Sequence, residues 1–281
     1  MTITEGKFFF LKSLKSLYNV EEVLYYYKII LNEAFKRNKS QLALYPNSIL
    51  KKSETIFLEK AVKNLLDQRP IQYIIGKAFF RSLSLIVNEN VLIPRQETEE
   101  LVDWVIEDFR NVSAKKNILD IGTGSGCIAI SLAKELKNNI IYALDNDDTI
   151  IDLAKQNAKN CNANVNFFKK DINFLNSLNL KINIIVSNPP YVLNEEKKGM
   201  KLNVLNYEPH KAIFVDNDDP LKFYRLILDY AKLNLENSGL IYFEINPLLL
   251  SKLKKLISFY NFKIKHRMDI FGKIRILRLQ K

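Results

Sequence analysis

The chain has 281 residues, 47% of them hydrophobic and 26% charged, which excludes a disordered polymer and leaves room for one large domain or a large and a small one. No apolar stretch approaches the roughly 20 residues of a membrane span, and Met1–Lys15 lacks the ordered regions of a signal peptide, so no membrane association and a cytoplasmic location are expected. The formal net charge of +11 leans towards the two ends: residues 1–76 carry twelve basic and seven acidic residues, and Ser251–Lys281 carries ten basic residues against Asp269 alone.

Phe8–Leu17 predicts a short helix, and Val20, Val23, Leu24, Tyr27, Ile30, Leu31, Ala34 and Phe35 recur at the spacing of a helix with one buried face. Asn38–Pro46 breaks that pattern. Ile56, Leu58, Ala61, Val62, Leu65 and Leu66 form the next helical stripe, so residues 1–75 are expected to be a small helical domain. Phe79–Val87, a turn at Asn88-Glu89-Asn90 and Val91–Ile93 then read as a β-hairpin, assigned as a linker over residues 76–95.

From Thr98 helices alternate with short apolar strands. Leu101–Phe109, Ile128–Leu136, Thr149–Asn160 and Leu221–Leu235 read as helices. Asn117–Ile121, Ile140–Asp145, Val165–Lys169, Ile182–Ser187 and Leu240–Ile245 read as strands. That alternation predicts an α/β domain, residues 96–281, with a parallel sheet covered on both faces. Phe262–Met268 and Ile274–Leu279 are expected to close it as an antiparallel pair. Cys127 and Cys161 lack metal-ligand spacing and are expected to be reduced, and no metal site is expected.

Ile118-Leu119-Asp120-Ile121-Gly122-Thr123-Gly124-Ser125-Gly126 runs from a strand through a glycine loop into a helix. Such a loop lets backbone pass close under a ligand and points free N–H groups at it. Asp145, at the end of the next strand, is placed to accept hydrogen bonds from ribose hydroxyls. Gly124–Ala129 also satisfies the permissive dinucleotide pattern, so a nicotinamide enzyme stays open on the loop alone. Asp120 favours a cationic amino group over pyrophosphate. S-adenosylmethionine, which has an ammonium, a ribose and an adenine but no phosphate, suits both acids, with Asp171 and Ile172 placed for the adenine.

Asn188-Pro189-Pro190-Tyr191 ends the strand Ile182–Ser187. An amide or aromatic amine nitrogen is a poor nucleophile, and methylating it requires acceptors held against its N–H bonds. Asn188 offers a side-chain oxygen and Pro189 a main-chain carbonyl, and the two prolines keep this stretch extended. Tyr191 can lay an aromatic face on a planar group. A plain strand-to-loop turn would use the same residues.

Together, Arg69–Gly76, Leu92-Ile93-Pro94-Arg95-Gln96-Glu97-Thr98-Glu99, Asp120–Gly126 and Asn188–Tyr191 resemble, in order and spacing, the HemK/PrmC family of release-factor glutamine methyltransferases. The resemblance spans nearly the whole chain. It implies a class I, Rossmann-like methyltransferase domain behind an N-terminal helical domain that recognises the substrate. It also implies S-adenosylmethionine at Gly122, Thr123, Gly124, Ser125, Gly126, Asp145, Asp171, Ile172 and Asn188. The glutamine of the Gly-Gly-Gln motif of peptide-chain release factors would sit at Asn188, Pro189, Pro190 and Tyr191, with Asn188, Pro189 and Tyr191 catalytic and Arg95, Thr98 and Glu99 in support. The chain departs from the family at Gln96, at Asp219-Pro220-Leu221, at Ile172 and at Asn246, where glycine is usual. An adenine amino-methyltransferase acting on DNA or RNA and a ribosomal-protein glutamine methyltransferase are the alternatives. A monomer is expected. The basic ends suit work near the ribosome, although a Lys-, Asn- and Ile-rich bias that merely solvates the surface accounts for the same charge.

Overall fold

The structure, a computed structural model, describes residues 1–177 and 180–281. It divides into two compact units, one formed by residues 1–76 and 201–207 and the other by residues 77–200 and 208–281.

The first unit is helical: α1 (Ile3–Leu14), α2 (Val20–Glu33), α3 (Lys39–Leu44), α4 (Lys52–Leu66) and α5 (Ile71–Ile75), with a later short helix from residues 202–207. α1 begins at Ile3 and not Phe8, because Thr2 and Glu5 form a reciprocal capping box that starts the helix earlier than its apolar stripe. Asn38 caps α3 inside the segment read from sequence as a break. Phe10, Leu14, Ile30, Leu31, Leu58 and Leu65 are buried together, and the Tyr27 hydroxyl donates to the Ile3 carbonyl at 2.6 Å.

The second unit opens with β1 (Lys77–Phe80) and β2 (Leu83–Ile86), paired antiparallel. This corrects the hairpin expected from sequence: the reversal falls at Arg81-Ser82, and Val91–Ile93 forms no strand. The reversal is marked only by the polar pair Arg81-Ser82, without glycine, proline, asparagine or aspartate, which hides it. Arg81 takes a left-handed φ of 53°, held by its backbone N–H on the Glu99 carboxylate and its guanidinium on Asp103.

α6 (Gln96–Phe109), β3 (Asn117–Ile121), α7 (Cys127–Glu135), β4 (Ile140–Asp145), α8 (Asp148–Asn160), β5 (Asn166–Lys169), β6 (Ile182–Ser187) and β7 (Val192–Leu193) follow. Next come α9 (Leu202–Tyr207), which belongs to the helical unit, then α10 (His210–Ile213), β8 (Phe214–Val215), α11 (Lys222–Asn234), β9 (Leu235–Glu244), α12 (Leu250–Ser258), β10 (Lys263–Met268) and β11 (Ile274–Gln280). β9 starts five residues before the expected Leu240, directly from the end of α11. The main sheet has the order β10-β11-β9-β6-β3-β4-β5, parallel from β9 to β5 and antiparallel at β11 and β10. α6 and α7 pack on one face, and α11 and α12 on the other. Strand order reverses at β3, between β4 and β6, and a ligand site is expected outside the carboxyl ends there.

Candidate active site

A cavity of about 600 Å³ opens at that switch point. Gly122, Thr123, Gly124 and Ser125 line it after β3, Asp145 after β4, Asp171 and Ile172 after β5, and Asn188, Pro189 and Pro190 after β6. Ser187 ties two of these strand ends together, its hydroxyl donating to the Ile121 carbonyl at 2.7 Å.

The glycine loop is shaped from below. The N–H groups of Gly122 and Thr123 both donate to the Leu144 carbonyl, at 3.0 and 2.9 Å. Gly122 and Gly124 have φ of 77° and 54°, and a Cβ on either would meet nothing within 4 Å, so the space above them is free for a ligand. Gly126 does not line the cavity. It caps α7 at φ 83°, and a Cβ there would come within 2.9 Å of Ile130.

Asp145 accepts from the backbone of Gly124 at 2.9 Å and of Asn146 at 2.8 Å. Burial raises its pKa, and a carboxylate with two accepted bonds retains lone pairs for a diol. Asp171 accepts from the backbone and side chain of Asn173 through one oxygen. Ile172 packs on the apolar cluster of the α11–α12 face while lining the cavity. Asp120, read from sequence as a partner for a cationic amino group, is fully buried and does not line the cavity. Its Oδ2 accepts from the Thr123 hydroxyl at 2.7 Å and the Ala129 N–H at 3.2 Å, its Oδ1 has no partner, and burial pushes its pKa up to about 7.

At the other end, Asn188 Nδ2 donates to Thr98 Oγ1 at 3.0 Å. Thr98 in turn donates to Glu244 at 2.6 Å, and Tyr191 donates to the other oxygen of the same carboxylate at 2.7 Å. Thr98 lies in the first turn of α6. It is a buried hydroxyl joining α6 to the end of β9. Tyr191 does not line the cavity: its ring packs on the apolar cluster of the α11–α12 face and its hydroxyl turns inward to Glu244, where burial and that carboxylate raise its pKa well above 10. Asn246 holds the Tyr191 carbonyl at 3.2 Å, a contact glycine could not make.

Arg95 reaches Glu208 at 2.5 Å, and that buried carboxylate also takes the Ile93 N–H, which pins the Pro94-Arg95 segment on the cavity wall. Glu99 lies off the cavity, on the Arg81 turn. His210 is exposed, with its ring edge-on to Phe214 at 5.1 Å.

Three residues that matter here were not read from sequence as site residues. Glu208 lies in a polar loop, Asn157 inside the helix expected over Thr149–Asn160, and Glu244 inside the strand expected over Leu240–Ile245. A charged residue closing an apolar strand on the ligand side of a parallel sheet was the available signal for Glu244. Asn157 on the buried stripe of α8 was the other: its amide bridges the backbone of Ile86 and the carbonyl of Ser125 at 2.7 to 2.9 Å.

Known proteins resemble this chain along most of its length. Residues 12–76 match the family model for the PrmC N-terminal domain, and residues 99–206 match the Methyltransferase small domain. A release factor glutamine methyltransferase of Flavobacterium psychrophilum is 44% identical, with 96% of each chain covered. One of Bacteroides thetaiotaomicron is 38% identical, with 95% of each chain covered. Among solved structures, the hMettl16 catalytic domain shares the fold at a TM-score of 0.54 and 19% identity, covering 82% of this chain and 81% of that one. On the strength of the full-length relatives, the chain belongs to the release factor glutamine methyltransferase family.

Proposed function

We propose that this protein methylates the side-chain amide nitrogen of the glutamine in the Gly-Gly-Gln motif of peptide-chain release factors, using S-adenosylmethionine. The observation that carries the reading is one cavity holding a glycine cradle and a ribose-type carboxylate at one end and Asn188-Pro189-Pro190 at the other.

When bound, S-adenosylmethionine supplies an electrophilic methyl group on a positively charged sulfur. The open space over Gly122 and Gly124 and the spare lone pairs of Asp145 fit it, with Thr123, Ser125, Asp171 and Ile172 completing the walls. Asn188 Oδ1 and the Pro189 carbonyl accept the two N–H bonds of the target amide, which raises electron density on its nitrogen and fixes its direction. The nitrogen proton leaves to water. Gly126 shapes the loop, and Tyr191 supports the tetrapeptide from behind.

In this reading residues 1–75 recognise the release factor, residues 76–95 link, and residues 96–281 carry the transfer. The enzyme works as a monomer in the cytoplasm, where its charge of +11 suits the surroundings of the ribosome. Among the described residues, no helix is long and apolar enough to cross a membrane.

The test is incubation with methyl-labelled S-adenosylmethionine and, separately, a release factor, its Gly-Gly-Gln glutamine-to-alanine variant, a ribosomal-protein fraction, and adenine-containing DNA and RNA. Label on the intact release factor alone supports the reading. Label on nucleic acid, or on the alanine variant equally, sinks it.

A further inference from the structure

Resting on the reading of Asn188 as acceptor for the target amide, we propose that Thr98 and Glu244 are positioning residues that fix which end of the Asn188 amide faces the cavity. Ser187 of β6 pairs in parallel with Phe243 of β9, so the next residues, Asn188 and Glu244, leave the sheet side by side. Thr98, in the first turns of α6, lies between their side chains, and both Thr98 and Glu244 are buried.

Hydrogen-bond direction follows from the inventory of donors. Burial raises the pKa of Glu244, while the bonds it accepts from Thr98 and Tyr191 and the nearby Arg275 charge favour its carboxylate; in that form it only accepts, so the hydroxyl hydrogens of Thr98 and Tyr191 both point at it, one to each oxygen. A threonine hydroxyl has a single hydrogen. Once that hydrogen is committed to Glu244, Thr98 Oγ1 can only accept, and the donor it meets is Asn188 Nδ2 at 3.0 Å. The amide is thereby turned with its nitrogen inward and Oδ1 on the cavity side. Turned over, it would present a second NH₂ to the NH₂ of the target glutamine, where neither can accept. The carboxylate thus sets the polarity of a group two hydrogen bonds away, and a well-placed acceptor becomes a correctly oriented one.

A residue that acts through Asn188 must show non-additivity with it. Thr98→Val keeps the shape and removes the relay. It should lower kcat about 10- to 100-fold, the scale on which groups that orient reactive ligands act. KM for the release factor and affinity for S-adenosylmethionine should stay near parental values. Thr98→Ser should recover turnover, and Thr98→Val should add nothing in an Asn188→Ala background. A Thr98→Val enzyme within about twofold of the parent, or one whose loss persists undiminished in Asn188→Ala, overturns the proposal.

A second arm does not depend on substrate. Neutron diffraction from the perdeuterated enzyme distinguishes nitrogen from oxygen and locates the hydroxyl deuteron. Nδ2 against Thr98, with the Thr98 deuteron on Glu244, supports the proposal, and the reversed amide overturns it whatever the kinetics. Should the parent fail to methylate any release factor, the assigned substrate falls while the diffraction arm still decides the orientation.

Discussion

Asn188 lines the cavity, and in the proposed role of acceptor for the target amide its removal is expected to separate binding from chemistry. Asn188→Ala is expected to lower turnover by about 100-fold or more, the cost of deleting one preorganised hydrogen-bonding group at a reacting centre. Calorimetric titration should find affinity for S-adenosylmethionine close to the parent's, since the glycine loop and Asp145 remain; retained turnover would refute the acceptor role. Asp120 carries a second prediction. Burial lifts its pKa from 3.8 to about 7, so the native state keeps a proton that the unfolded chain has already lost. The associated stability is fully present below about pH 4 and declines as pH rises towards 7, by on the order of 4 kcal/mol. Plotted against pH in the unliganded protein, the Tm of the parent minus that of Asp120→Asn should fall across this window. A flat difference would exclude the assignment. The place of Asn188 on the cavity wall was legible because prolines that spend no N–H follow it at a strand end. The burial of Asp120 was not, because a motif position gives no direction for the carboxylate.

Asn157 of α8 shows how one element can hold two others. Its side-chain oxygen accepts the Ile86 N–H, and its amide nitrogen donates to the carbonyls of Ile86 and Ser125, so the end of β2 and the glycine loop share one buried amide. Asn157→Ala strands three backbone groups and is expected to cost about 3 kcal/mol or more. Melting curves should show a fall of about 6–12 °C for a unit of this size. Affinity for S-adenosylmethionine should fall with it, because Ser125 belongs to the cradle; unchanged binding would separate the loop from this anchor. The elements themselves differ in how far sequence revealed them. Parallel strands such as β3 and β6 are short apolar runs with a turn signal after each, and they announce themselves. The β1–β2 hairpin did not: Arg81-Ser82 lacks glycine, asparagine and proline, and the turn is held by acids of α6, distant in sequence, which no local pattern encodes.

Across the whole molecule, two hydrophobic clusters flank the sheet of the second unit, while a third is drawn from the first unit, mostly from its helices. Alternating helix and strand made the sheet legible from sequence, and the helical stripes did the same for the first unit. The inclusion of α9 in the helical unit was not, since a six-residue helix has too few turns to display a face; the Tyr207 hydroxyl on the Asp67 carbonyl at 2.9 Å is what reveals it. Separate cores make a thermodynamic prediction. Among the described residues, those lining the cavity all belong to the second unit, so a ligand there stabilises that unit by mass action. At a hundredfold excess over Kd the gain is about 2.7 kcal/mol. For a unit of this size that raises its melting point by about 5–10 °C. Scanning calorimetry with and without S-adenosylmethionine should resolve two transitions, of which one moves with ligand and the helical one stays. A single transition moving as a whole would mean that the two cores unfold together, and no movement at saturating ligand would remove the cofactor from this cavity.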